Sequence, residues 1–162
     1  DAFTQALANC SREDVPALFW TAVGWGSYIN LSITDPSALA DLQRVEAMMT
    51  AVLRLDSTYY YAGAHCFLGT LAGTRPVLLG GNPEQSRKHF EACLAINGGK
   101  FLMTYVYFAR SYARQTQDRE LFLECLTKVD TTSLDISPEI RLSNAVAKKK
   151  AQLLRNNVDE LF

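Results

Sequence analysis

"NPEQSRKHFEACLAINGG" (82–99) spells out one complete helix, with its start, its buried stripe and its stop. Asn82 offers a capping side chain directly before Pro83, whose missing amide hydrogen costs nothing at the first helical position. Ser86, Phe90 and Cys93 follow at spacings of 4 and 3, one face of a 3.6-residue period. Asn97-Gly98-Gly99 then supplies residues that tolerate positive φ where the helix must end. The pattern predicts a helix over 83–96.

The same stripe recurs 41 residues upstream as Val45, Met49 and Val52, and "RLD" at 54–56 closes that segment as "AIN" at 95–97 closes this one. Partner segments repeat as well. Trp20-x-x-Val23-Gly24 is matched by His65-x-x-Leu68-Gly69 and by Tyr105-x-x-Phe108-Ala109, at offsets of 45 and 40. A large residue, an aliphatic and then Gly or Ala is the logic of the first helix of a tetratricopeptide repeat, where a small residue lets two helices approach; that repeat is about 34 residues long, so each unit here carries extra chain.

The expectation is an all-α fold of tetratricopeptide-like helical hairpins in a right-handed superhelix, one domain over 1–162, with a C-terminal capping helix. Helices are predicted at 15–30, 36–55, 60–72, 83–96, 101–115, 119–129 and 138–157. Asp35-Pro36 and Ser137-Pro138 repeat the start signal of Asn82-Pro83. Tyr59–Tyr61 has a β-like composition, but Ala62, Ala64, Phe67, Leu68 and Leu71 recur at helical spacing and favour helix. Thr74–Gly81 is the insertion that lengthens its repeat. Its Val77-Leu78-Leu79 is expected to bury against a neighbouring helix or another subunit.

Composition narrows the function. With 48% hydrophobic and 20% charged residues in 162, the chain can bury a core, and a net charge of −1 with dispersed Lys and Arg provides no basic patch for a phosphate backbone. Nucleic acid is excluded as a partner on that ground. No apolar run approaches the roughly 20 residues of a membrane-spanning helix. Cys10, Cys66, Cys93 and Cys125 show no CxxC or zinc-finger spacing and read as small buried hydrophobes, a disulfide staying open in an oxidising compartment.

Chemical motifs are sparse. Gly98-Gly99-Lys100-Phe101 has Phe where a phosphate loop needs a hydroxyl for magnesium, and no strand precedes it; a turn is the better reading. Gly80-Gly81-Asn82-Pro83 places free amides at a helix start, the geometry of a weak anion site or of an ordinary turn. His89 and Cys93 stand at i, i+4, a spacing for two metal ligands or a thiolate–imidazole pair, against which Cys93 falls on the packing stripe and no third ligand is near in sequence. Catalysis, metal and cofactor thus have no support in the residues.

A binding face has more. In stacked hairpins the residues just beyond the packing Gly or Ala point into the concave side. They are Trp25, Tyr28 and Asn30, then Thr70 and Arg75, then Arg110 and Arg114. Aromatics together with guanidinium groups suit an apolar ligand carrying a carboxylate, or an acidic partner surface. The competing reading makes them core aromatics and solvated arginines. In the last predicted helix, Ile140, Ala145, Ala147, Ala151, Leu154, Val158 and Leu161 form an apolar side around the solvated run Lys148-Lys149-Lys150. That side serves a cap or a subunit contact.

"LFWTAVGWGSYIN" (18–30), "LLGGNPEQSRKHFEACL" (78–94), "GGKFLMTYVYFARSYARQTQDRELF" (98–122) and "PEIRLSNAVAKKKA" (138–151) together resemble the T component of tripartite ATP-independent periplasmic (TRAP) transporters, the TatT family. The resemblance implies an all-helical, tetratricopeptide-like periplasmic lipoprotein, not an enzyme, that forms homotrimers. It also implies association with the transporter's solute-binding P component and a cargo that is a hydrophobic small organic acid. Relative to such proteins a leader and some N-terminal helices are expected upstream of Asp1. Trp20, Trp25, Gly26, Asn30, Leu79, Gly80, Gly81, Pro83, Phe101, Arg110, Arg119, Leu142 and Asn144 match the family pattern, and of these Trp25, Asn30 and Arg110 are expected to face ligand or partner. A cytoplasmic repeat module that takes a peptide in its concave groove is the alternative.

Overall fold

Polar side chains placed one residue ahead of a helix set four of the starts. Asp1, Asp35, Asn82 and Asp118 accept hydrogen bonds from the backbone N–H groups of Thr4, Ser37, Gln85 and Leu121, each satisfying an amide that the helix leaves open. The computed structural model describes residues 1–162, the side chain of Leu79 excepted. The chain is all-α: it is 81% helical, and the described residues include no strand. Its internal contacts fall into two compact units, Asp1–Ala64 and His65–Phe162.

The first unit holds α1 (Ala2–Asn9), α2 (Val15–Leu31), α3 (Pro36–Ala40), α4 (Leu42–Asp56) and the start of α5 (Tyr59–Thr74). The stretch read as one helix over 36–55 is two, because Asp41, at ψ −8°, turns its N–H to the Ala38 carbonyl and breaks the run. Val45, Met49 and Val52 are fully buried on α4, against Val15, Phe19, Ala22 and Ile29 of α2. Gly24 does not do what the repeat pattern assigned to it, since a Cβ there would meet nothing within 4 Å. Two residues past Ala22, it is turned about 200° away from the α4-facing stripe. The close approach falls at Gly63, where a Cβ would stand 2.6 Å from the Phe19 ring.

The predicted helix from residue 60 begins in a left-handed turn. Tyr60, Tyr61 and Ala62 all have positive φ, at 47°, 58° and 62°, a conformation that costs roughly 1–2 kcal/mol for each L-residue. Aromatic packing holds it: the Tyr60 ring lies 4.8 Å from Trp20 and 5.5 Å from Phe19, and Phe19 meets Tyr59 at 5.3 Å. The helical spacing of Ala62, Ala64, Phe67, Leu68 and Leu71 pointed to a helix here despite the β-like composition of Tyr59–Tyr61, and spacing does not report the hand of its first turn.

The second unit holds the rest of α5, α6 (Pro83–Asn97), α7 (Met103–Tyr107), a π-helical continuation (Phe108–Ala113), α8 (Arg119–Thr131), α9 (Arg141–Asn156) and α10 (Val158–Leu161). Ser86, Phe90 and Cys93 are fully buried, as their spacing predicts. Three rungs fix the antiparallel register of α5 on α6. A Cβ on Gly69 would stand 3.2 Å from the Phe90 ring, one on Gly73 would stand 2.6 Å from Ser86 Oγ, and the Ser86 hydroxyl donates to the Gly69 carbonyl at 2.7 Å. The third rung sets Cys66 opposite Cys93.

Between these helices the inserted segment makes a 3₁₀ turn over Val77–Leu79 and returns to its origin: Gly81 N–H donates to the Pro76 carbonyl and Asn82 N–H to the Ala72 carbonyl, both at 3.0 Å. The Gly-Gly pair follows from this path. Gly80 has φ +85°, and any Cβ on Gly81 would run into the Arg75 carbonyl. The apolar residues of the turn do not bury within the chain, for Val77 is 66% exposed and Leu78 97%. A three-residue turn held at both ends lacks the length to fold them back onto a helix. The Leu79 side chain lies outside the described residues.

Candidate functional site

The seven residues read as a binding face divide between the units. Trp25, Tyr28 and Asn30 lie on α2, with Trp25 half-buried and Tyr28 55% exposed. This helix is apolar nearly all round; its α4-facing side is buried and Phe19 and Trp20 also meet the Tyr59 and Tyr60 rings, while Tyr28 and Leu31 stay largely in solvent. In the second unit Thr70 and Arg75 are half-buried, and Arg110 and Arg114 are exposed. The Thr70 hydroxyl donates to the Cys66 carbonyl, and the Arg110 guanidinium stands 5.7 Å from the Tyr107 ring centroid, a cation–π contact that leaves its donors toward water. Arg110 lies in the π-helical stretch and Arg114 directly follows it; between them Ser111 is buried with no hydrogen-bond partner for its hydroxyl among the described residues.

Neither of two described depressions is lined by any of the seven. One, of about 490 Å³, lies over α8 and α9 among Asp130, Ala145, Lys148, Lys149, Gln152 and Arg155. Its basic groups are already engaged in part: Lys148 donates to the Asp130 carbonyl and Arg155 pairs with the Asp130 carboxylate at 2.8 Å. The other, about 90 Å³, is lined by Leu94, Tyr105, Phe108, Leu121, Glu124, Cys125 and Lys128.

Sequence reasoning missed a polar cluster on the α5–α6 seam. His89 and Cys93, read as a possible ligand pair, turn to different partners. His89 Nδ1 meets His65 Nδ1 at 3.0 Å, and Cys93 meets Cys66. The ring centroids are 5.2 Å apart, close to the most that such a contact allows, so the two nitrogens point at each other and share one proton rather than converge on a third atom. Among the described residues no three His, Cys, Asp or Glu side chains are grouped to hold a metal. The sequence signal for the cluster was the register: once Gly69 is set opposite Phe90, Cys66 must face Cys93.

The histidine pair makes stability depend on pH. Burial lowers both pKa values below the usual 6.5, and the charge on His89 lowers that of His65 further. A folded-state pKa below the unfolded one means that the unfolded chain takes the proton first, so the pair's contribution is present above pH 6.5 and is lost as pH falls through the folded values. Urea midpoints measured between about pH 7 and pH 5 are expected to fall, and the double variant H65Q/H89Q to flatten that part of the profile.

A family model described as TRAP transporter T-component matches residues 1–162, the whole chain. A comparison with curated proteins finds no match. Among the described residues no helix is long and apolar enough to cross a membrane.

Proposed function

The chain belongs to the TRAP transporter T-component family, and from that membership we propose that it is a non-enzymatic periplasmic accessory that holds the transporter's solute-binding P component and hands on a hydrophobic small organic acid. The match over the full length of the chain carries this reading. The uncovered face of α2 supports it, because large aromatic side chains left in water are the anchors that protein interfaces use. Trp25, Tyr28 and Asn30 are assigned to the P component on that face. Thr70, Arg75, Arg110 and Arg114 are assigned to the acidic group of the cargo, for which guanidinium donors are the suited partners.

Titration calorimetry of the cognate P component against wild type and Tyr28→Ala tests the interface. Tyr28 lies more than half in solvent, so the variant is expected to fold normally and to lose about tenfold in affinity, the scale of one interface anchor. Unchanged affinity would sink the assignment. The exposed Val77-Leu78 turn is assigned to the subunit contact of a homotrimer, and Leu78→Asp is expected to shift the mass seen by light scattering from trimer to monomer.

A further inference from the structure

We propose that Cys66 and Cys93 form an oxidisable thiol pair, convertible by a small hydroperoxide into a disulfide that ties α5 to α6. The two cysteines occupy one rung of the hairpin register that also sets Gly69 against Phe90 and Gly73 against Ser86. Both are buried, Cys93 completely. The donors around them are asymmetric. Asn97 Nδ2 lies 3.6 Å from the Cys93 sulfur, Thr104 Oγ1 lies 3.5 Å from it, and the Cys66 thiol donates to it as well.

Asn97 is itself held in place, its Oδ1 accepting from Gly99 N–H at 2.9 Å and its Nδ2 reaching Thr104 Oγ1 at 3.1 Å. A thiol that only fills space needs no such converging set. The donors favour the anion at Cys93, pulling its pKa down chiefly through the Cys66 hydrogen bond, while the donating Cys66 is pushed up. Cys125 is the contrast, a buried cysteine whose burial drives it to about 12. Nucleophilic sulfur is the thiolate, so the difference is one of reactivity.

With hydrogen peroxide the Cys93 sulfur attacks one peroxide oxygen. The O–O bond breaks, Cys93 becomes a sulfenic acid, and the other oxygen leaves as water with the Cys93 proton. The Cys66 sulfur then attacks the Cys93 sulfur, the S–O bond breaks, and a second water leaves with the Cys66 proton. Two thiols are oxidised to one disulfide and one peroxide is reduced to two waters. Cys93 meets no solvent in the closed fold, so peroxide reaches it through local opening of the α5–α6 hairpin.

The test is a timed treatment of the full native chain with hydrogen peroxide, quenching by alkylation in denaturant, and peptide mass spectrometry. Linkage of the Cys66 and Cys93 peptides, lighter by two hydrogens, is expected to appear at least about tenfold faster than any modification of Cys125. In Cys66→Ser the same rate advantage is expected for a dimedone-trapped sulfenic acid at Cys93, since the resolving thiol is gone. Absence of the linkage in wild type, or its formation no faster than oxidation of Cys125, overturns the proposal. The experiment leaves the transport reading untouched, because neither cysteine belongs to the faces assigned there.

Discussion

Asn144→Ala is expected to lower the unfolding free energy by about 3–5 kcal/mol, from two backbone groups that lose a hydrogen-bond partner at about 1–3 kcal/mol each together with the cavity left behind. The Asn144 side chain is fully buried on α9 and both ends of its amide are used. Oδ1 accepts from Leu102 N–H and Nδ2 donates to the Lys100 carbonyl, each at 3.0 Å. Those two backbone groups bracket Phe101, between the Gly98-Gly99 turn and α7, where no helical partner reaches them. Removing the amide leaves the buried Leu102 N–H and the half-buried Lys100 carbonyl without this partner.

Asn144→Asp separates the hydrogen bonds from the cavity. The variant keeps an oxygen for Leu102 but turns a second oxygen toward the Lys100 carbonyl, so it is tolerated only when protonated. Chemical denaturation followed by circular dichroism is expected to show the aspartate variant losing stability as pH rises above about 4, with the alanine variant flat over the same range. Equal pH dependence of the two would mean that the amide is not bridging these groups.

Phe90→Ala is expected to cost a similar amount, about 3–5 kcal/mol, for a different reason. The ring is fully buried and stacks on Phe108 with centroids 4.9 Å apart and planes at 20°. It also fills the space that Gly69 leaves open, its ring 3.2 Å from where a Cβ would stand. Glycine cannot follow the retreating side chain, so the cavity stays. A second substitution supplies the check: Gly69→Ala in the Phe90→Ala background is expected to recover part of the loss, while the same change in wild type is expected to destabilise. Additive losses in the double variant would show that the two positions do not share that space.

The Phe90 site was legible in the sequence; the Asn144 bridge was not, since Asn144 entered only as a match to the family pattern. The 4-then-3 spacing of Ser86, Phe90 and Cys93 gave away a buried stripe, because periodicity reports directly which side of a helix meets a neighbour. Asp35-Pro36 and Asn82-Pro83 gave their starts for the same local reason, whereas the helix expected from Pro138 starts at Arg141, after a 3₁₀ turn over Pro138–Ile140 that Ser137 does not cap. Gly24 misled because a small residue permits close approach without requiring it. Which glycine a ring lands on is decided by the helix opposite, and that was Gly63. The left-handed turn at Tyr60–Ala62 depends on Trp20 and Phe19, some forty residues away in sequence, and no window of neighbouring residues contains that information.

The candidate site was the less readable part. Arg110 and Arg114 follow from a helical repeat, but the π-helical stretch in which Arg110 lies shifts the angular position of what comes after it, and nothing in the local composition marks that extra residue. The histidine and cysteine pairs were missed because each joins residues on two helices. Spacing along α6 tied His89 to Cys93, whereas the packed register ties each of them to α5.

The Asn144 bridge also sets an order of events. Its partners Lys100 and Leu102 lie more than forty residues earlier in the chain, so during synthesis the turn before α7 must wait, its N–H and carbonyl bound to water, until α9 has emerged and docked. Contacts closed over such a separation form late, after the local hairpin of α5 and α6 has assembled. Asn144 is therefore a residue whose loss should speed unfolding while leaving the folding rate nearly unchanged, which makes the last long helix the latch on the kinetic lifetime of the second unit.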